Sequence, residues 1–214
     1  MTASSQNHLS SACDLIEQAA EKSARIVVGI AGPPASGKST LAQAVVTQLN
    51  EQIGQMEERA VLLPMDGYHL DNRILEKRGL LNRKGAPETF DANGFCAAVE
   101  LLARAERESF HPTFDRSLDI AVAGAISISR AVPIIVVEGN YLLLNSAPWS
   151  ELKQFFSVTV FISPQMETLK ERLVQRWVDH GMAPEAALER AMRNDLPNAK
   201  TVLDQSGHAD LILA

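Results

Sequence analysis

The sequence predicts an α/β fold, in which a mainly parallel sheet of about five strands lies between two layers of helices. Segments rich in β-branched residues alternate along the chain with segments of helical periodicity, which is the pattern of a parallel sheet. The predicted strands are apolar on both faces, so helices must cover the sheet on both sides. The 214 residues are enough for one such domain with a filled core, and we expect a single domain over residues 1–214.

The elements of the first half follow from local patterns. Apolar residues at helical spacing predict a leading helix over about 8–22. The run RIVVGI at 25–30 is β-branched and predicts a buried strand, and 39–53 repeats apolar residues at helical spacing. A second strand is predicted at 59–63. The polar stretch 66–92 is punctuated by Gly and Pro, which indicates a long loop or a small insertion on the substrate side.

The second half continues the alternation. Helical periodicity and apolar runs predict a helix at 95–106, a hairpin or edge strand at 120–128, strands at 134–137 and 157–162, helices at 169–178 and 184–192, and a short last strand at 210–213.

The composition excludes several classes of function. The formal charge is −6, with 46% hydrophobic and 21% charged residues, which is typical of a soluble globular protein and argues against broad nucleic-acid or membrane-surface binding. The polar N-terminus has no apolar signal core, and the apolar runs are too short to span a bilayer. Cys13 and Cys96 form no C-x-x-C pattern and are expected to be reduced thiols in a cytoplasmic protein.

The strongest motif is a phosphate-binding loop. GPPASGKS at 32–39 fits G-x-x-x-x-G-K-[ST], and it has a strand before it and a helix after it, as the motif requires. Its backbone N–H groups and the helix N-terminus would face a polyphosphate, Lys38 would reach the β- and γ-phosphates, and Ser39 would hold Mg²⁺. The predicted ATP-binding residues are Gly32, Pro33, Pro34, Ala35, Ser36, Gly37, Lys38, Ser39 and Thr40.

A phosphate loop identifies a nucleotide but leaves the reaction open, so GTPases, ATPases and small-molecule kinases compete. A GTPase needs Asp-x-x-Gly after a buried strand and Asn-Lys-x-Asp for guanine. Asp91–Gly94 matches the first string but follows PETF, which is not a buried strand, and the second string is absent from the sequence. We interpret Asp91 as the N-cap of the helix near Phe95.

Asp66 favours a kinase. It follows the strand after the loop helix, and ligands of open α/β sheets bind beyond the carboxyl ends of the strands. A carboxylate there can accept the proton of a hydroxyl that attacks the γ-phosphate. Tyr68 and His69 are expected to line the acceptor pocket. For Asp66 the alternative is an Asp-Gly turn without a catalytic role. For His69 the alternative is a histidine that only forms hydrogen bonds in the wall of the pocket.

Glu138 is a second acid at the end of a strand, in IIVVEGNYLLL, and glycine follows it. At this position a carboxylate would support Mg²⁺ together with Ser39, through water. The alternative is an exposed strand-end acid.

Arg172 and Arg176 lie four residues apart and share one helix face. Phosphoryl transfer needs positive charge at the γ-phosphate, and a mobile arginine-bearing helix supplies it while excluding water. We therefore expect the helices over about 165–195 to form a lid. A solvated helix with a Glu–Arg pair is the alternative.

These motifs together resemble a known group of enzymes. GPPASGKST, PMDGYH, VVEGNYLLL and RLVQRW resemble the P-loop kinases that include uridine kinase, pantothenate kinase and phosphoribulokinase, and RKGAPETFD, PTFDR and NDLPNA resemble a bacterial subgroup often labelled fructokinase-like. The resemblance implies a P-loop α/β/α sandwich, ATP with Mg²⁺, and transfer to a primary hydroxyl. It assigns the catalytic carboxylate to Asp66, the strand-end acid to Glu138 and the lid arginines to Arg172 and Arg176.

The resemblance also implies an acceptor site at HPTFDR, where Asp115 and Arg116 would bind a polyol or an anionic group; an internal salt bridge is the alternative. A sugar such as fructose is slightly preferred as acceptor over a nucleoside such as uridine or over pantothenate. The rivals from other classes are a non-catalytic ATP-binding module and a plain ATPase. Related kinases are often dimers or tetramers, so a homodimer is one expectation.

Overall fold

The computed structural model describes residues 3–51 and 58–214 of the chain. Its helices and strands, numbered in chain order, are α1 (Ala3–Ala20), β1 (Ile26–Ala31), α2 (Lys38–Glu51), β2 (Ala60–Pro64), α3 (Asn72–Lys77), α4 (Ala92–Arg104), β3 (Ser109–Asp115), β4 (Ile120–Ile128), β5 (Ile134–Gly139), β6 (Val158–Ile162), α5 (Met166–Asp179), α6 (Pro184–Arg190), α7 (Leu196–Gln205) and β7 (Leu211–Leu213).

The central sheet confirms the predicted fold class. Five strands pair in the order β2–β5–β1–β6–β7, and each neighbouring pair is parallel. Every residue of β1, β5 and β6 is buried, which is expected of strands that are covered on both faces. The strand that precedes the phosphate loop is therefore the middle of the sheet.

Alternate residues of the strands pack into two separate cores. Ile26, Val28 and Ile30 face a cluster that includes the buried residues of α1 and α2. Val27 and Ala31 face the opposite cluster, which α4 and the short helical turn Trp149–Gln154 cover. This period of two produces the three layers. Among the described residues, no helix is long and apolar enough to cross a membrane.

Some helix boundaries differ from the predicted ones. α1 begins at Ala3 rather than near residue 8, because the polar residues at its start lie on the exposed face. The predicted end of the helix at 39–53 lies outside the described residues. α7 was not predicted, because a proline such as Pro197 usually ends a helix. In the structure Pro197 lies in the first turn of α7, where its missing N–H is not needed.

The stretch 66–92 is an insertion with its own short helices. α3 lies between helical turns at Met65–Tyr68, Leu81–Arg83 and Pro87–Thr89, and Asp71 caps its N-terminus by accepting from Arg73 N. The predicted N-cap Asp91 is confirmed, because its side chain accepts a hydrogen bond from Gly94 N at the start of α4.

A separate two-stranded hairpin covers the insertion. β4 confirms the hairpin predicted at 120–128, and its antiparallel partner is β3, which the sequence did not predict because Pro112 interrupts the pattern. The hairpin packs tightly on the turn after β2. A Cβ on Gly67 would lie 2.2 Å from the carbonyl oxygen of Pro112, closer than any real contact. Gly67 is therefore required by this close approach of the hairpin backbone.

We expect Gly67→Ala to lower the free energy of unfolding by about 1–3 kcal/mol, because the added methyl group must push the hairpin backbone away. Chemical denaturation of the wild type and the variant measures this difference. The matched control is Gly207→Ala, whose new methyl group would meet the side-chain oxygen of Asn145 at 2.8 Å. That side chain can turn aside, so we expect a change within about 0.5 kcal/mol. Equal losses in both variants would contradict the tight packing at Gly67.

Candidate active site

The phosphate loop connects the middle strand to α2. Gly37 has φ 94°, in the left-handed region that favours glycine, and this conformation turns the chain directly into α2, which begins at Lys38. The N-terminus of a 14-residue helix and the N–H groups of the preceding loop thus face one space. That arrangement suits a polyphosphate.

Glu138 lies beside the loop because of strand register. It pairs across the sheet with Ile30 of β1 on one side and with Pro64 of β2 on the other. Its Oε2 accepts a hydrogen bond from Ser39 Oγ at 3.1 Å, and the residue is only 5% exposed. Burial raises the pKa of Glu138, while the nearby ammonium of Lys38 lowers it. The predicted Ser39–Glu138 pair is thus brought together.

This pair fits the requirements of Mg²⁺. The described residues contain no group of three or more His, Cys, Asp or Glu side chains arranged for a metal ion. Mg²⁺ in phosphoryl-transfer sites commonly uses one or two protein oxygens together with water and substrate phosphates, so a hydroxyl and a carboxylate at the phosphate loop are a suitable donor set.

Lys38 lies under the influence of two carboxylates. Burial lowers the pKa of its ammonium group, and the charges of Glu138 and Asp66 partly restore it. Lys38, Ser39 and Asp66 line the same cleft, which has a volume of about 780 Å³. The loop and the predicted base therefore line one space.

Asp66 lies directly beyond the end of β2, at the same edge of the sheet as Glu138. Its side chain is 22% exposed, and its Oδ2 accepts a hydrogen bond from Arg116 Nη2 at 2.5 Å. Arg116 comes from the turn of the β3–β4 hairpin, so the close packing of that hairpin at Gly67 also determines where the arginine meets the acid. The internal salt bridge considered as an alternative for Arg116 is present, and it is made with Asp66.

His69 lines the cleft as predicted. Its ring lies 4.1 Å from that of Phe90 and 4.5 Å from that of Phe114, and its Nδ1 is 2.7 Å from the backbone oxygen of Asp66. Burial lowers the pKa of His69, so the ring is neutral at neutral pH. Two phenylalanines and a neutral imidazole form an aromatic wall next to Asp66.

Tyr68 and Asp115 were expected at the acceptor site, but neither of them lines the cleft. The Tyr68 hydroxyl is 3.0 Å from His111 Nδ1 and its ring packs edge-on against Phe95, inside the core layer. Asp115 Oδ1 accepts hydrogen bonds from the backbone N–H groups of Ser117 and Leu118, which shapes the hairpin turn. Both were assigned from their position in a motif, which does not give side-chain direction.

The two predicted lid arginines lie in different places. Arg176 lines the cleft, and its Nη2 is 3.9 Å from Asp195 Oδ1. Arg172 instead donates from Nη1 to the backbone oxygens of Ala35 and Ser36, at 3.3 and 3.4 Å. In this arrangement Arg172 joins α5 to the phosphate loop, and its contact with the transferred phosphate stays a prediction.

Several cleft residues were not predicted as site residues. Lys84 donates from Nζ to Asn72 Oδ1 at 2.7 Å and lies 2.8 Å from Asp119 Oδ2. Asn72 and Lys84 come from the insertion and Asp119 from the hairpin turn, and the sequence motifs singled out none of them as a site residue. Asn140 also lines the cleft, and its buried Oδ1 has no hydrogen-bond partner among the described residues. This oxygen has the capacity to accept a hydrogen bond from a ligand or from water in the cleft.

The helices that were expected to form a lid contact the insertion directly. Residues Ala191–Asp195 form a π-helical turn between α6 and α7. Within it, the amide nitrogen of Asn194 donates to the backbone oxygen of Lys84 at 2.9 Å, and Asp195 is 7% exposed. Asn194 is also buried, so the π-turn carries two consecutive buried polar residues. No sequence pattern predicted this.

Several known proteins of similar sequence and structure are kinases by name. A solved structure from Silicibacter sp. TM1040, provisionally named a fructose transport system kinase, is 40% identical with a TM-score of 0.88 and covers 96% of this chain and 98% of its own. A Schizosaccharomyces pombe protein provisionally named uridine kinase is 33% identical over 199 residues, covering 88% of this chain and 83% of that protein.

A pantothenate kinase of Streptomyces coelicolor is 28% identical over 170 residues, which is 75% of this chain and 50% of that enzyme. No family profile matches the chain. The extent of the match to the S. pombe protein and the agreement in fold decide the family. The chain belongs to the P-loop small-molecule kinases that include uridine kinase, pantothenate kinase and phosphoribulokinase.

Proposed function

We propose that this kinase transfers the γ-phosphate of ATP to a hydroxyl of a small, sugar-like metabolite, with Asp66 as the general base. The observation that carries the proposal is that Asp66 lines one cleft together with Lys38 and Ser39, and that Ser39 is hydrogen-bonded to the buried Glu138. A non-catalytic ATP-binding module has no need of a strand-end acid in this position.

The phosphate side provides charge stabilisation. The loop N–H groups and Lys38 hold the β- and γ-phosphates, and Ser39 with Glu138 would hold Mg²⁺, which neutralises the charge that develops on the transferred group. Arg176, on the lid, adds positive charge at the same end of the cleft. Arg172 keeps the lid against the loop, which helps to exclude water from the reaction.

The acceptor side supplies the base. Oδ2 of Asp66 is held by Arg116, and we assign Oδ1 as the oxygen that takes the proton of the acceptor hydroxyl as its oxygen attacks the γ-phosphorus. The guanidinium keeps the carboxylate in one orientation. The bond from the γ-phosphorus to the β-bridging oxygen breaks, and ADP leaves with that electron pair.

Hydrogen-bonding groups and paired charges favour a neutral polyol. Lys84 is matched by Asp119, and Arg116 is matched by Asp66, so the acceptor half of the cleft has no excess of positive charge among these four. Amide and carboxylate oxygens there suit hydroxyl groups. The name of the Silicibacter structure supports fructose as the first sugar to test.

The aromatic wall of His69 and Phe114 favours a nucleoside as second candidate, because a planar base can stack on it. Pantothenate is the third, and a plain ATPase would need no acceptor. The proposal includes a cytoplasmic location, which is consistent with two buried free thiols.

We expect Asp66→Asn to lower the rate of phosphate transfer by about 10²–10⁴-fold while MgATP affinity stays the same, because the base is lost and the phosphate loop is intact. The measurement is ADP release from MgATP across sugars, nucleosides and pantothenate, with nucleotide affinity from calorimetry. The control is Asp71→Asn, since that acid caps α3 outside the cleft.

An acceptor that stimulates the wild type and the Asp71→Asn variant but not the Asp66→Asn variant would establish both the reaction and the acceptor. Turnover that survives Asp66→Asn would rule out this acid as the base. Hydrolysis that no acceptor stimulates, at a rate above the slow leak of kinases, would favour the ATPase.

We expect Glu138→Gln to raise the Mg²⁺ concentration needed for tight ATP binding by about 10–100-fold, because the side chain that accepts a hydrogen bond from Ser39 loses its negative charge. Calorimetric ATP titrations over a range of Mg²⁺ concentrations check this without measuring turnover. Glu151→Gln, at an exposed position in the turn after Pro148, serves as control. An unchanged Mg²⁺ requirement in Glu138→Gln would remove Glu138 from the metal site.

A further inference from the structure

We propose that Asp195, in the π-helical turn of the lid, is the positioning residue that aims Arg176 at the transferred phosphoryl group. The inference rests on the proposed function, because it assigns a role to a residue of the same site. Asp195 was not a predicted site residue, and nothing in the NDLPNA string distinguishes its carboxylate from that of a surface acid.

The surroundings of Asp195 hold its carboxylate in one place. Its Oδ2 accepts a hydrogen bond from Trp177 Nε1 at 2.6 Å, and its side chain is only 10% exposed. Buried carboxylates are costly unless they are paired and hydrogen-bonded, so a buried acid on a lid needs a role that outweighs its cost.

The other oxygen of the same carboxylate faces Arg176. Oδ1 lies 3.9 Å from Arg176 Nη2, and the guanidinium also lies over the Trp177 ring, 5.0 Å from its centroid. The acid and the indole thus restrict Arg176 from two sides. Asp195, Trp177 and Arg176 all line the cleft that contains Lys38 and Asp66.

The scaffold beneath these side chains is a small core of its own. Leu169 and Leu173 of α5 pack against Ala191, Leu196 and Ala199, which bracket the π-turn. This core fixes the π-turn relative to the helix that carries Arg176. Trp177 and the turn fix the position of the Asp195 carboxylate. The direction of the Arg176 side chain therefore depends on that carboxylate. A long, flexible arginine gains catalytic effect from such orientation, since misplacement by about 1 Å costs up to roughly 10²-fold.

Binding of a transition-state analogue tests the inference without an identified acceptor. The probe is MgADP with aluminium fluoride, compared by calorimetry with MgADP alone, so that the ratio of the two affinities reports stabilisation of the transferred group. The variants are Arg176→Gln, Asp195→Asn and the double variant. Asn at 195 retains an oxygen for Trp177 and removes only the charge. Asp204→Asn, at an exposed acid paired with Lys200 on α7, is the control.

We expect Arg176→Gln to reduce the ratio by about 10²–10³-fold and Asp195→Asn by about 10–10²-fold, with MgADP affinity unchanged in both. In the double variant the loss should equal that of Arg176→Gln alone, because Asp195 acts through the arginine. A merely structural role would instead give additive losses and weaker binding of MgADP itself. Either of those results would overturn the inference.

The failures of the two proposals are distinguishable. A wild type that binds both probes equally would overturn the proposed phosphotransfer and the inference together. If Arg176→Gln loses the higher affinity for MgADP with aluminium fluoride and Asp195→Asn retains it, the inference alone would be overturned. If Asp195→Asn does not fold, Trp177→Phe removes the anchoring hydrogen bond and leaves the acid; we expect it to lower the ratio several-fold, and an unchanged ratio would count against the inference.

Discussion

The register of three parallel strands is the constraint on which the site depends. Glu138 pairs with Ile30 on one side and with Pro64 on the other, so the ends of β1, β5 and β2 coincide at one edge of the sheet. The phosphate loop comes directly after the end of β1, and Asp66 comes directly after the end of β2. Glu138, which accepts a hydrogen bond from Ser39, lies at the end of β5. Because a slip of one residue would reverse every side chain between the two cores, the two hydrophobic clusters hold this register and with it the site.

The sequence was sufficient for the parts of the site that strands position. Lys38, Ser39, Glu138 and Asp66 each sit at a strand end or in the loop motif, and backbone direction alone brings them to one edge. The fold class followed from the same signals, since buried parallel strands read as continuous apolar runs. The family and the small-molecule kinase class agree with the sequence interpretation.

Side-chain direction in irregular segments could not be read from the sequence. Tyr68 and His69 are adjacent, yet one enters the core and the other lines the cleft, because a helical turn at Met65–Tyr68 separates their directions. Asp195 was not predicted as a site residue for a related reason. It lies in a π-helical turn, and no residue pattern in the sequence marks where such a turn interrupts the helices.

The hydrogen bond from Asn194 to the backbone of Lys84 has a thermodynamic consequence. It joins the π-turn, which lies beside Arg176, to Lys84 of the insertion. The side chain of Lys84 contacts Asn72 and Asp119 on the proposed acceptor side of the cleft. If either ligand shifts the equilibrium between open and closed forms, the same equilibrium acts on the other ligand. Linkage then requires reciprocity, so any factor by which nucleotide tightens acceptor binding must equal the factor by which acceptor tightens nucleotide binding. The contact between Asn194 and the Lys84 backbone is the direct link between the π-turn beside Arg176 and the insertion, along which such coupling would pass.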